Sequence, residues 1–294
     1  MAVLLLTGAT GLVGSALLPR LTAARIPVRC LVRDPRRLGP ERVRVQLALG
    51  DLTDPPSFRN AMRGVETVIH LAASIRDQER GSIEELNGIS TWRMVEAAER
   101  AGVKRFVFFS ALGASTHHRT RFHRAKAHAE RVVMESPLST TVFAPSIVYA
   151  PGDHYLTLLQ RATLLPVMPM SGRGAARYEP MWADDVADCV MAALERDGDA
   201  PERVELAGPE ILSHEDIVRL AMAAAGRHRP ILKVPTPIVS RTLRLAEAAM
   251  KWNAPAVWDE AELMEVGAVS ARGTADVEAL GVRPRRMADV LGVV

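Results

Sequence analysis

The chain predicts an α/β fold: a doubly wound parallel sheet with helices on both faces, followed by a smaller, mainly helical C-terminal lobe. Three observations carry that prediction. Short runs rich in Val, Leu, Ile and Phe alternate with helix-length segments from Ala2 to Ala144, the pattern of strands buried on both faces. The first run leads directly into glycines at 8, 11 and 14. After Pro151 the alternation stops, and Pro166, Pro169, Gly172 and Gly174 mark loops.

In order, Ala2–Thr7 reads as an apolar strand and Gly11–Ala24 as the helix that leaves it. Pro27–Val32 and Val43–Leu49 are the second and third strands, and Pro56–Met62 a short helix. Glu66–Leu71 is strand four, and Ile83–Ala101 a long helix. Lys104–Ser110, a helix over Arg121–Glu135 and Thr140–Ala144 complete the alternation. Beyond the loops, Asp184–Glu195 is a helix and Arg203–Leu206 a strand that returns to the main sheet. Ser213-His214-Glu215-Asp216 has capping-box form before an apolar helical run to Ala225. Thr236–Trp252 is amphipathic, with Val239, Leu243, Leu245 and Met250 on one side for packing onto the lobe. The expected division is 1–150 with 176–207 returning to it, and a substrate lobe from 151–175 and 208–294.

Composition narrows the class. With 294 residues, 48% of them hydrophobic, the chain can bury a large core. Net charge is only +3 with no dominant basic run, which argues against a nucleic-acid surface. Cys30 and Cys189 lie far apart and read as core residues, not a disulfide or a metal pair. That suits a reducing, cytoplasmic setting, and no metal site is expected. Ala2–Leu18 is apolar but lacks a basic start and is punctuated by glycines, so it reads as structure. No uninterrupted apolar run approaches the roughly 20 residues of a membrane span.

The glycines carry the first chemistry. Gly8 permits a tight turn, Gly11 lets a pyrophosphate approach the backbone, and Gly14 lets helix and strand pack closely. Thr7, Thr10, Leu12 and Val13 fill the same turn, whose N–H groups would hold phosphate at a helix N-terminus. At the end of strand two stand Arg33, Asp34, Arg36 and Arg37. A guanidinium from Arg33 or Arg37 can fork onto a ribose 2′-phosphate, which favours NADP(H). Asp34, rotated inward, would serve NAD(H) instead. Asp51, before Leu52, is placed either to accept from an adenine amino group or to cap the next turn. Leu71, Ala72 and Ala73 end strand four with residues that let a ribose lie close to the backbone.

These segments resemble the extended or atypical short-chain dehydrogenase/reductases. The nearest groups are the NmrA-like proteins and relatives of the NADPH-binding accessory subunit of mitochondrial complex I. The resemblance runs through Thr7–Gly14, Val32–Asp34, Gly50–Asp54, Val68–Ala73, Asn87, Phe106–Ser110, Phe122–Lys126, Pro145–Tyr149, Pro180–Ala187 and Leu206–Pro209. It implies a Rossmann-type fold and an NAD(P) cofactor, also touched by Ser110, Lys126, Pro145, Ser146, Ile147 and Val148. A homodimer through the Ile83–Ala101 and Arg121–Glu135 helices is a further implication. The family's catalytic set falls on Asn87, Ser110, a tyrosine at 122, and Lys126. Lysine occurs only at 104, 126, 233 and 251, so one in this slot is no accident of composition.

Two departures stand out. Ala144 replaces a common arginine, and Phe122 replaces the tyrosine. The tyrosine hydroxyl normally exchanges a proton with a carbonyl, and phenylalanine has none to give. Tyr149, in the loop after strand six, and His118, one helical step before Phe122, are candidate substitute donors. Two kinds of function follow. One is an oxidoreductase that reduces a moderately hydrophobic small molecule (a carbonyl, enone or quinone-like acceptor) with a non-standard proton source. The other is a non-catalytic NAD(P)-binding sensor or assembly protein. Sugar-nucleotide epimerisation leans hardest on the missing tyrosine.

Overall fold

The computed structural model describes residues 3–196, 202–250 and 258–293. The first half contains β1 (Val3–Thr7), α1 (Leu12–Ala23), β2 (Val28–Val32), β3 (Gln46–Leu49), α2 (Pro55–Arg59), β4 (Val65–His70), α3 (Ser90–Arg100), β5 (Arg105–Phe109), α4 (Arg121–Met134) and β6 (Ser139–Pro145). Next come β7 (Val148–Tyr149), α5 (His154–Ala162), β8 (Met168–Ser171), β9 (Arg177–Tyr178), β10 (Met181–Trp182), α6 (Ala183–Glu195) and β11 (Arg203–Leu206). Last are β12 (Leu212–Ser213), α7 (His214–Ala224), β13 (Ile231–Val234), α8 (Thr236–Met250), α9 (Trp258–Leu263), α10 (Ala275–Ala279) and α11 (Met287–Leu291). Ala2 and Trp252, at the ends of two expected elements, lie outside the described residues, as do the side chains of Leu245 and Met250.

Seven strands form one parallel sheet in the order β11-β6-β5-β4-β1-β2-β3. Strand order reverses at β1, which lies between β2 and β4, so a crevice opens beyond its carboxyl end. The period of two in β1 sends Leu4 and Leu6 into one apolar layer and Leu5 into the other. The first layer meets Leu17 and Leu21 of α1 and Val186 and Val190 of α6. The second meets Met94 and Ala98 of α3 and Ala129 and Val133 of α4. β11 pairs with β6, so the chain returns to the sheet after the first lobe segment. Val277 and Leu280 also join the first layer, so part of the segment expected in the lobe packs on the sheet instead.

Other differences have local causes. The expected third strand over Val43–Leu49 shrinks to Gln46–Leu49, because two 3-10 turns joined by a kink at Gly39 (φ 58°) occupy Pro35–Arg44. Asp34 caps that stretch by accepting from Arg36 N, and Pro35 and Pro40 fix its backbone. The long helix over 83–101 begins as a π turn, Glu85–Ile89, before α3 proper. The Pro/Gly-rich region is not all loop: β8 pairs in parallel with β13, and α5 is capped by Asp153.

The lobe has its own core, where Tyr149, Leu156, Met168, Tyr178, Ile217 and Met222 meet. The Ser213–Asp216 capping box forms as the sequence predicts. No described helix is long and apolar enough to cross a membrane. Near the C-terminus, Arg285 clamps buried Asp185 through its backbone N (2.8 Å), Nε (3.0 Å) and Nη2 (2.9 Å). Its guanidinium also stacks on Trp182. Arg285→Ala leaves that carboxylate without its guanidinium partner. It is expected to lower stability by about 2 kcal/mol, less than for a fully buried pair because the arginine is half-exposed. A urea midpoint unchanged from the native chain would refute this.

Candidate functional site

The crevice beyond β1 is a cleft of about 340 Å³. Its floor is the glycine turn, Thr7 to Gly11, and the end of β4, Leu71 to Ser74. Its sides are Leu31, Val32, Arg33 and Arg37 after β2, and Gly50, Asp51 and Leu52 after β3. Gly8 has φ +72°, and a Cβ there would lie 2.6 Å from Ala72 N. A Cβ on Gly14 would lie 2.2 Å from Gly8 O. Turn, helix and strand end are thus in mutual backbone contact, leaving open the side where α1 begins. Gly11 is the N-cap of α1, and no side chain caps that end. Its N-terminal N–H groups therefore suit a phosphate.

Around this turn Leu12, Val13 and Gly14 lie in or beside α1 and do not line the cleft, whereas Ala9, Gly50, Ser74, Gln78 and Leu86 do. Gln78 had no sequence signal beyond its place in a polar loop. It accepts from Arg33 Nη1 (3.2 Å) and donates to Ser74 Oγ (3.0 Å).

Two carboxylates follow the ends of β2 and β3. Asp34 is held by Arg36 through Nε (2.9 Å) and Nη2 (3.0 Å). Those hydrogen bonds keep its carboxyl below the usual range. Arg33 and Arg37, not Asp34, line the cleft. Asp51 divides its roles: Oδ1 accepts from Thr53 N (3.0 Å) and Thr53 Oγ1 (3.0 Å), capping the turn. Oδ2 is buried with no hydrogen-bond partner, and Arg80 Nη1 stands 3.6 Å away, beyond bonding distance. An orphaned buried acceptor in the cleft lining fits a hydrogen-bond donor from a ligand.

The residues expected to do chemistry lie elsewhere. Lys126, on α4, is buried at 2% exposure. Its Nζ donates to Phe109 O (2.6 Å) and sits 4.9 Å from the Phe108 ring centroid and 5.8 Å from that of Phe122. Burial pulls its pKa down to about 7, against the opposing pull of Glu130. Ser110 follows β5, and its hydroxyl donates to Glu130 Oε2. Glu130 Oε1 accepts from Arg203 Nε (2.8 Å). Asn87 is fully buried in the π turn, and its amide is satisfied by backbone. Nδ2 donates to Ser74 O (2.7 Å) and Ile83 O (2.8 Å), while Oδ1 accepts from Ser74 N (3.2 Å). Its role in this structure is to fix the loop after β4.

Tyr149 packs in the lobe core, its hydroxyl buried without a partner, and burial raises its pKa. Neither it nor Pro145, Ser146, Ile147 and Val148 lines the cleft. Ser146 instead donates from Oγ to Ala268 O (2.6 Å) and from N to Leu206 O (2.9 Å). His118 belongs to a cluster: its Nδ1 accepts from Thr120 N (3.2 Å), and its ring stands 4.2 Å from His123. Burial is the main cause lowering the pKa of both, His123 to about 4. Phe122 lies edge-on to His123.

One further buried group escaped the sequence reading. His70 is within hydrogen-bond distance of Thr7 Oγ1 (2.7 Å) and Thr91 Oγ1 (3.1 Å), and Thr91 donates to Asn87 O (2.6 Å). Burial and nearby Lys126 lower its pKa to about 3. It therefore stays neutral and links the glycine turn to the π turn.

Parallel order, glycine turn and crevice define a dinucleotide-binding α/β protein. The match to the NAD(P)H-binding family extends over residues 8–197. The chain belongs to that family, within the atypical short-chain dehydrogenase/reductase and NmrA-like proteins. It is 28% identical over 253 residues to the NAD(P)H azoreductase of Xenophilus azovorans, covering 84% of this chain and 80% of the relative. It is also 28% identical to subunit 9 of the Arabidopsis thaliana mitochondrial NADH dehydrogenase (ubiquinone) 1 alpha subcomplex, over 79% of this chain and 60% of that protein. Among solved structures, a nucleoside-diphosphate-sugar epimerase from Staphylococcus aureus superposes with TM-score 0.78 at 17% identity, covering 99% of each chain. At that identity the likeness concerns the fold.

Proposed function

We propose that this chain is an NADPH-dependent oxidoreductase that reduces a moderately hydrophobic acceptor, such as a carbonyl, enone or quinone-like compound, without a tyrosine acid. The observation that carries the reading is Lys126: an amine held in the core between Phe108 and Phe122, at an electrostatic cost that packing alone does not require. The nicotinamide cofactor supplies a hydride when bound. Arg33 and Arg37 would hold its 2′-phosphate, since Asp34 is engaged by Arg36. Asp51 Oδ2 would accept from the adenine amino group, and the start of α1 would face the pyrophosphate. Lys126 would orient the ribose next to the nicotinamide, and the Phe122 ring would wall the acceptor. Acceptors that take their proton from water after reduction suit a slot with no hydroxyl. The similarity to an azoreductase is consistent with that class.

A second reading, a non-catalytic subunit or assembly protein that senses the nucleotide, is favoured by the engagement of Ser110 with Glu130 and of Asn87 with backbone. The similarity to a complex I subunit supports it too. Dimerisation through α3 and α4 would cover Ile89 and Trp92, which are exposed there.

Parallel titrations with NADPH and NADH, repeated on Arg33→Ala, test the cofactor reading. The substitution is expected to weaken NADPH binding about tenfold or more, as for a lost charge-assisted hydrogen bond, and NADH binding little. Equal loss for both would refute the 2′-phosphate role. NADPH consumption with quinone, enone and azo acceptors then separates the two functions: turnover supports the reductase, and tight binding without turnover supports the sensor.

A further inference from the structure

The loop over residues 71–84, between β4 and the π turn, touches two different parts of the molecule. One side lines the dinucleotide cleft through Leu71 to Ser74 and Gln78, and Gln78 bonds Arg33 from the far side of β1. The other side holds the acidic helix α9. Arg76 Nη2 pairs with Glu260 at 2.7 Å. Asp77 is taken by Arg121 at 3.0 Å, and Arg121 also reaches Glu84 (2.7 Å) and Asp259 (3.4 Å). These contacts put α9 on a rim formed by the loop and the first turn of α4. Hydrogen bonds tie the two sides of the loop together. Gln78 Nε2 donates to Ser74 Oγ (3.0 Å), and Ser74 Oγ donates to Arg76 O (2.6 Å). Gln78 and Gly81 exchange both backbone bonds (2.9 and 3.1 Å). Ile83 N donates to Asp77 Oδ1 (2.7 Å).

We propose that this loop couples the two sites, so that a dinucleotide in the cleft and α9 on the rim each strengthen the hold of the other. The coupling rests on the dinucleotide reading of the cleft. The physical cause is shared ordering. A loop already fixed through Ser74 and Gln78 presents Arg76 and Asp77 in place, so seating α9 loses less conformational entropy. Reciprocity requires that seated α9 tighten the dinucleotide by the same factor. The Arg76–Glu260 and Arg121–Asp259 pairs are partly exposed, so salt should weaken the effect.

The test is hydrogen exchange of the segment 258–265 in the native chain, with and without saturating NADPH. It is accompanied by NADPH titration of the double variant Asp259→Asn, Glu260→Gln. Both substitutions keep side-chain size, and a thermal melt checks the fold. The expected results are about fivefold slower exchange with NADPH and about fivefold weaker NADPH binding by the variant, both shrinking in high salt. Native binding of NADPH with unchanged or faster exchange in 258–265 overturns the coupling alone, as does unchanged affinity in the variant. Failure of the native chain to bind NADPH or NADH overturns the dinucleotide reading, and the coupling with it.

Discussion

Gly8→Val is expected to abolish dinucleotide binding, lowering NADPH affinity by about 100-fold or more, and to destabilise the fold by about 2–4 kcal/mol. Two penalties act at once. The residue adopts φ +72°, which a β-branched side chain does not tolerate, and its Cβ would lie 2.6 Å from Ala72 N and 2.8 Å from Leu71 C. Those atoms are backbone at the cleft floor and cannot rotate away. Leu71 N donates to Thr7 O (3.2 Å) and Ala72 N to Thr7 Oγ1 (3.4 Å), so any shift of the strand end breaks bonds that shape the turn. Gly113→Ala is the control: its φ is +81°, yet nothing lies within 4 Å of the added atom. It should cost about 1 kcal/mol from backbone strain and leave binding unchanged. Calorimetric titration with urea melts of all three proteins measures both quantities. NADPH affinity within threefold of native in Gly8→Val would mean that the turn does not hold the cofactor.

What the sequence reveals and conceals follows from the range of each interaction. The strands are legible because their burial on both faces makes continuous apolar runs, and the glycines because each meets a steric demand within the turn or from the next element. Arg33, Arg37 and Asp51 are legible because each follows a strand end on the cleft side. The partners of Ser110 and Asn87 are not. Glu130 comes from α4, Arg203 from an edge strand late in the chain, and the groups that satisfy Asn87 are backbone atoms without side-chain identity. The third strand is shorter than its sequence suggests: Val43 and Val45 look strand-like, but Asp34 and two prolines impose a turn that leaves Val43 84% exposed. The Arg76–Glu260 and Arg121–Asp259 pairs join residues more than a hundred positions apart. The acids at 259 and 260 stand adjacent in the sequence, but only the fold supplies their arginines.

Lys126→Met is expected to stabilise the protein at neutral pH while impairing NADPH binding, and to flatten its stability–pH curve. The lysine is buried, with Phe109 O as its hydrogen-bond acceptor and aromatic faces around it, and its folded pKa falls to about 7. In the unfolded chain it titrates near ~10.4. Below the folded value both states carry the proton, and the fold bears the full cost of a buried ammonium. Between about 7 and ~10.4 the unfolded state binds more protons, so unfolding free energy rises with pH; above that range this group adds nothing further. A shift of this size corresponds to a penalty on the order of 4 kcal/mol. Phe109 O loses its partner in the variant, which offsets about 1–2 kcal/mol of the gain. The net expectation is a stabilisation of about 2–3 kcal/mol near pH 7 that falls to zero between about pH 9 and ~10 and reverses above it, because the loss at Phe109 O does not depend on pH. Other groups titrate in both proteins, so the readout is the difference between their urea-melt stabilities from pH 6 to 10. A constant difference across that range would refute a depressed lysine pKa. A more stable variant that no longer binds NADPH would show that the buried charge serves the cofactor rather than the fold, because packing alone would favour the thioether.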